Sequence, residues 1–181
     1  NELKASKLWR EEYEWEQSAV SGQRSAGGPF EVGSAAWFVY TVDLIRQRFF
    51  TLKDFSSQGR AYFSEDFDFD PAAVAKNLTK FPDLREWLPE LADRFEEEFN
   101  TTNPHNSRGL LPYTEANIEA VVKAFTEEKG TKLGVIMNGA RTLLTGVAVG
   151  PSMLSVFEVI GLEKTTMRLR SQVAWNTENS L

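Results

Sequence analysis

Arg141-Thr-Leu-Leu-Thr-Gly-Val-Ala-Val-Gly-Pro-Ser-Met153 joins two helical patterns through a short uncharged loop. Before the break, Leu133, Ile136, Ala140, Leu143 and Leu144 recur at steps of three and four, which is one face of an α-helix. Gly146 supplies the left-handed cap that ends such a helix. Pro151 sits where a missing N–H costs nothing and its fixed φ suits a helical start, and Leu154, Phe157 and Ile160 resume the stripe up to Gly161. A backbone-rich loop is thus held between two packed helices, with an arginine at its approach and no catalytic group. A phosphate-binding loop is excluded, because the glycine spacing is one residue short and no Lys-Ser or Lys-Thr follows Gly150.

The same punctuation recurs outward from this segment. Leu8, Trp9, Tyr13 and Trp15 predict an opening helix over residues 4–17, followed by a Gly/Ser-containing connection over 18–33. Residues 35–49 form a nearly continuous apolar helix that ends in Arg46-Gln-Arg48. Thr51-Leu-Lys-Asp54 has the form of a capping box, with aspartate in place of the longer Glu or Gln. Asp70-Pro71 is a second helix start. The preceding Asp66-Phe-Asp-Phe-Asp70 imitates the opening of a calcium loop. The imitation ends at Pro71, where that loop needs glycine, and at Asn77, where it needs glutamate. Leu84, Trp87, Leu88, Leu91, Phe95 and Phe99 mark a long helix with Pro89 inside it, implying a kink or a meeting of two shorter helices. Thr114 opens a helix carrying Ile118, Val121, Val122 and Phe125 that ends with Gly130, and residues 163–175 form a last helix. The fold class that follows is all-α. The proline-bearing segment 100–113 divides it into two helical-bundle subdomains, 1–105 and 106–181.

Composition narrows the function. The 181 residues contain no cysteine, hence no disulfide, thiolate nucleophile or Cys-bound zinc. The single histidine, His105, stands in a polar connection without a second imidazole to form a metal pair. Carboxylates are plentiful, but nothing places a nucleophile beside a base or locates a glycosidase pair. No apolar run spans a bilayer, since the best one, 35–45, contains Asp43. The expectation is a cytoplasmic binding module with no membrane and no metal partner, and the start at Asn1 points to a missing upstream portion. A net charge of −6 argues against indiscriminate nucleic-acid binding, yet the charge is uneven. Residues 1–100 carry 12 basic and 19 acidic side chains, and residues 101–181 carry 8 and 7. The second part, with the helix ends near Arg46, Arg48, Lys53 and Arg60, is least repulsive to a phosphate backbone.

Six separated segments then carry a resemblance. Val42-Asp-Leu-Ile-Arg-Gln-Arg-Phe49, Thr51-Leu-Lys-Asp-Phe55, Arg60-Ala-Tyr-Phe63, Leu84-Arg-Glu-Trp-Leu-Pro89, Lys132-Leu-Gly134 and Ala140-Arg-Thr-Leu-Leu-Thr-Gly146 resemble, in order, the C-terminal anticodon-binding region of bacterial-type glutamyl-tRNA synthetases. The resemblance covers residues 36–173. It implies a two-subdomain helical module that holds the anticodon arm of glutamate tRNA. A separate class I catalytic domain would consume ATP and charge the acceptor end. No HIGH-like or KMSKS-like signature of that domain occurs here, so no cofactor is expected in this chain. By the same resemblance, Arg48 matches the arginine that accepts cytosine as third anticodon base, the mark of a discriminating enzyme. Arg141 matches the arginine assigned to the first base, and Gly150, Pro151, Ser152 and Met153 match the loop lining the anticodon pocket. Gly150 departs from the family, which often has Ser or Thr there, so a hydroxyl contact would fall to Ser152 or the backbone. The competing reading is a helical protein-interaction or scaffold domain that keeps the fold without reading tRNA.

Overall fold

The computed structural model describes residues 30–99 and 111–176, and every regular element among them is helical. The predicted helix over 4–17, most of the 18–33 connection, His105 and the division at 105/106 lie outside the described residues.

Helix α1, Ala35–Arg46, begins where the Ser34 side chain accepts the Trp37 N–H at 3.1 Å. It stops three residues short of the predicted end. The Arg48 and Phe49 N–H groups bond three residues back, to Ile45 and Arg46, which tightens the chain into a turn. Inside the molecule, the Trp37 indole N–H donates to the Val159 carbonyl at 2.6 Å and ties α1 to a later helix. Helix α2, Leu52–Ser56, starts at Thr51 as the capping pattern predicts: one Asp54 oxygen accepts the Phe50 and Thr51 N–H groups, each at 2.8 Å. The short α3, Arg60–Phe63, follows.

Helix α4, Pro71–Val74, is capped by Asp70, which accepts the Ala72 N–H at 2.9 Å. It runs directly into a π-helical turn, Ala75–Thr79, which the sequence reading did not anticipate. A reason lies across the interface. The turn carries Asn77, whose buried amide donates to the Thr142 hydroxyl at 3.1 Å.

Helix α5, Leu84–Phe99, is continuous through Pro89, so neither two helices nor a break occurs there. Leu84, Leu88, Leu91, Ala92, Phe95 and Phe99 are buried at steps of three and four, and each large side chain so buried contributes about 1.5–3 kcal/mol. That apolar face outweighs the missing Pro89 N–H, whose partner would have been the carbonyl of exposed Arg85.

Helices α6, Glu115–Glu128, α7, Leu133–Thr145, α8, Met153–Ile160, and α9, Leu162–Leu169, complete the core, and a terminal turn, α10, spans Val173–Asn176. The predicted helix over 163–175 is therefore two pieces. Ser171 interrupts it: its N–H bonds to the Arg168 carbonyl at 3.1 Å and its hydroxyl accepts the Val173 N–H at 3.3 Å. The adjacent Arg170 turns onto α5, reaching Asp93 and Glu96 at 2.6 Å each.

α5 packs most extensively on α9, while α8 rests on α6 and α1. Phe95 meets Phe157 edge-on at 5.5 Å, and Phe99 meets Tyr113 at 5.1 Å. Side chains from both sides of residues 100–110 therefore share one hydrophobic cluster. The acidic segment before α4 closes over the end of α7: the Asp70 N–H donates to the Gly146 carbonyl at 2.8 Å. Gly146 has φ of 74°, and a Cβ there would lie 2.1 Å from the Asp68 carbonyl oxygen, so both conformation and space demand glycine. Among the described residues no cluster of histidine and carboxylate groups could hold a metal, and no helix is long and apolar enough to cross a membrane.

Candidate functional site

The turn after α1, the start of α3 and the loop between α7 and α8 enclose an open recess of about 290 Å³, mouth included. Ile45, Phe49 and the buried Tyr62 supply its apolar wall. Arg48 and Gln58 stand exposed at its edge, and Val149, Gly150 and Pro151 form the opposite side. The early end of α1 matters here, because the turn swings Arg48 and Phe49 into the recess instead of continuing them along a helix.

Arg141 approaches from α7 beneath the loop. It is half-buried, and its Nη1 has no hydrogen-bond partner among the described residues. A Cβ at Gly150 would fall 2.7 Å from that Nη1 and 3.8 Å from the Tyr62 hydroxyl. The guanidinium and the phenol thus converge under a glycine, and the absent side chain is the space the arginine occupies. Burial lowers the Arg141 pKa, with Tyr62 opposing the shift and Arg48 adding to it as a like charge. Tyr62 is pushed up to about 12 by burial, against the pull of Arg141 and Arg48. At neutral pH Tyr62 is therefore a neutral phenol beside the Arg141 guanidinium.

Neither Arg48 nor Arg141 has a carboxylate partner among the described residues. Their neighbours do: Arg46 pairs with Asp43 at 2.6 Å and Arg60 with Asp66. The Arg48 and Arg141 guanidinium groups, the latter with an N–H left unpaired among the described residues, suit an anionic or acceptor-rich ligand.

Arg168 braces this arrangement from behind. Only 5% exposed, it donates through Nη1 to the carbonyls of Ala61 at 2.8 Å and Leu144 at 2.7 Å. Nη2 donates to the Ser64 carbonyl and Nε to Glu65, each at 3.1 Å, and the guanidinium lies 4.7 Å from the Phe67 ring centre. One side chain so fixes α3, which carries Tyr62, against the end of α7, which carries Arg141. Burial would raise the Glu65 pKa, but the hydrogen bond and charge of Arg168, with Lys164, hold it below the ordinary value.

Of the residues singled out from sequence, Arg48, Gly150 and Pro151 line the recess and Arg141 abuts Gly150. Pro151 precedes the N-cap of α8 rather than entering its first turn. Ser152 is the exposed N-cap residue and makes no side-chain cap bond. Met153 is 6% exposed and belongs to the hydrophobic core, so its side chain packs the helix under the loop and does not face the recess. Tyr62, Gln58 and Arg168 were missed. Tyr62 stood inside the Arg60-Ala-Tyr-Phe63 segment that carried the resemblance. Arg168 has no local signal, since its partners lie up to 107 residues away.

The chain matches the family model described as the anticodon binding domain over residues 14–173. It is 40% identical over 136 residues to a glutamate-tRNA ligase of Desulfotalea psychrophila, covering 75% of this chain and 25% of that protein. It is 34% identical over 151 residues to a glutamate-tRNA ligase of Thermus thermophilus, covering 83% of this chain and 28% of that protein. The chain thus spans about a quarter of the length of the curated relatives it matches. A crystal structure of a glutamate tRNA ligase from Elizabethkingia meningosepticum, in complex with its amino acid, shares the fold. It has a TM-score of 0.60 and 21% identity, covering 97% of this chain and 31% of that one.

Proposed function

We propose that this chain, which belongs to the anticodon binding domain family, reads the anticodon arm of glutamate tRNA as one part of a glutamate-tRNA ligase. The observation that carries the proposal is the convergence on one recess of two arginines that have no carboxylate partner among the described residues, Arg48 at its edge and Arg141 under Gly150. Single-stranded RNA loops are recognised by stacking on planar side chains and by hydrogen bonds to splayed base edges, and arginine does both. In this reading Arg48 takes a cytosine as third anticodon base and so makes the enzyme discriminating. Arg141 takes the first base, with the Gly150–Met153 backbone and the Ser152 hydroxyl beside it. Met153 supports that loop by packing.

The activation of glutamate, with its use of ATP, belongs to a catalytic domain of the parent enzyme. This module itself brings no cofactor. Its partners are glutamate tRNA and that domain, with neither membrane nor metal, and its setting is the cytoplasm.

Gel shifts of the chain with glutamate tRNA test the reading. Arg141→Ala removes hydrogen bonds from a charged donor and weakens binding about 10- to 100-fold. Arg48→Gln narrows the difference between tRNAs with and without cytosine at the third position. Unchanged behaviour of both variants, together with protein capture that RNase leaves intact, would favour a helical interaction or scaffold domain instead.

A further inference from the structure

Phe50 is 95% exposed, on backbone that is otherwise well ordered by hydrogen bonds. It occupies the position before the Thr51 N-cap, where a hydrophobic residue ordinarily packs on the fourth residue of the helix, here Phe55. That partner is already taken. Phe49 meets Phe55 edge-on at 4.9 Å, with an interplanar angle of 85°. The fold therefore gains nothing from the Phe50 ring, while the Asp54 carboxylate fixes its backbone by accepting the Phe50 N–H at 2.8 Å.

In sequence Phe50 adjoins the residues that line the recess. Phe50 follows Phe49, which lines it, and lies two residues beyond Arg48; across the recess Val149 is also exposed, at 69%. An exposed aromatic ring next in sequence to a recess whose arginines have no carboxylate partner among the described residues matches a flat aromatic group attached to an anionic backbone. We propose that Phe50 is a stacking platform for an unpaired base of the bound RNA loop, adding sequence-tolerant affinity to the base reading by Arg48 and Arg141. This rests on the tRNA-binding function proposed above.

The test titrates glutamate tRNA, and the same tRNA with a swapped anticodon, into the wild-type chain, Phe50→Ala, Phe50→Trp and Arg48→Gln. Phe50→Ala weakens binding about 5- to 100-fold. The loss is the same for both tRNAs and leaves the salt dependence unchanged, because no charge is removed. Phe50→Trp restores affinity, whereas Arg48→Gln alters the preference between the tRNAs. Wild-type affinity in Phe50→Ala alongside an impaired Arg48→Gln overturns the stacking role and leaves the tRNA-binding function standing. Failure of Phe50→Trp to restore binding also overturns it. Absence of RNA binding by the wild-type chain overturns both.

Discussion

Gly150 shows how a residue with no side chain can fix the position of one that has a long one. A Cβ there would crowd the far end of Arg141, which can move, and touch the Tyr62 hydroxyl at ordinary contact distance. Gly150→Ser is thus expected to leave the thermal midpoint almost unchanged while displacing the guanidinium and weakening tRNA binding, measurable by pairing a melting curve with a gel shift. In sequence Gly150 amounts to a lost hydroxyl; the contact with Arg141 makes it a gain of space. Arg168 is the opposite case, a residue whose value is nearly all structural. Removing its guanidinium leaves Glu65 without its closest cation and three carbonyls without a donor. Arg168→Ala should cost about 3 kcal/mol, read as a lower urea midpoint. Lysine should not rescue it, since one ammonium lacks the planar fork that reaches all four acceptors. Arg48 and Arg141 were legible because the resemblance marks them. Arg168 and Tyr62 were not, because their roles exist only once distant elements are folded together.

Among the elements, helix termini marked by a local cap or glycine were legible, and ends without such a mark were not. Asp54, Asp70, Gly130, Gly146 and Gly161 stand where the sequence places them, since a cap acts within four residues. α1, by contrast, ends early in a tight turn, and α9 stops before Ser171 as Arg170 engages α5. Periodicity continues across such sites and does not report the break. The π turn after α4 was equally invisible, because Asn77 finds its partner Thr142 only across an interface. The start of α2 gives a pH prediction. The Thr51 and Phe50 N–H groups hold the Asp54 pKa below its ordinary value. A depressed folded pKa contributes stability that is complete above the unfolded aspartate value of about 3.9 and disappears as pH falls through the lower folded value. The protection of the Phe50 and Thr51 amides against exchange, relative to their intrinsic rates, should therefore fall below pH 4, and Asp54→Ala should show the lower protection at neutral pH as well.

At the scale of the molecule, the described helices act on the recess through one core. The sequence places a boundary at 105/106 because prolines and polar residues gather there. The packing of α5 on α9, and of Phe95 on Phe157, nevertheless joins residues from both sides. Unfolding by urea should consequently show one transition by circular dichroism and tryptophan fluorescence alike. Leu91→Ala should shift that whole transition, at a cost of about 2–5 kcal/mol, rather than loosen one half. This shared core is what holds Arg48, from the first part of the chain, opposite Gly150 and Arg141 from the second. Anticodon reading by the recess is tested by competition binding between glutamate tRNA and the same tRNA with only its anticodon exchanged. The exchanged tRNA is expected to compete about tenfold or more weakly, the effect of losing one charge-assisted hydrogen bond. Equal competition by the two tRNAs would contradict it.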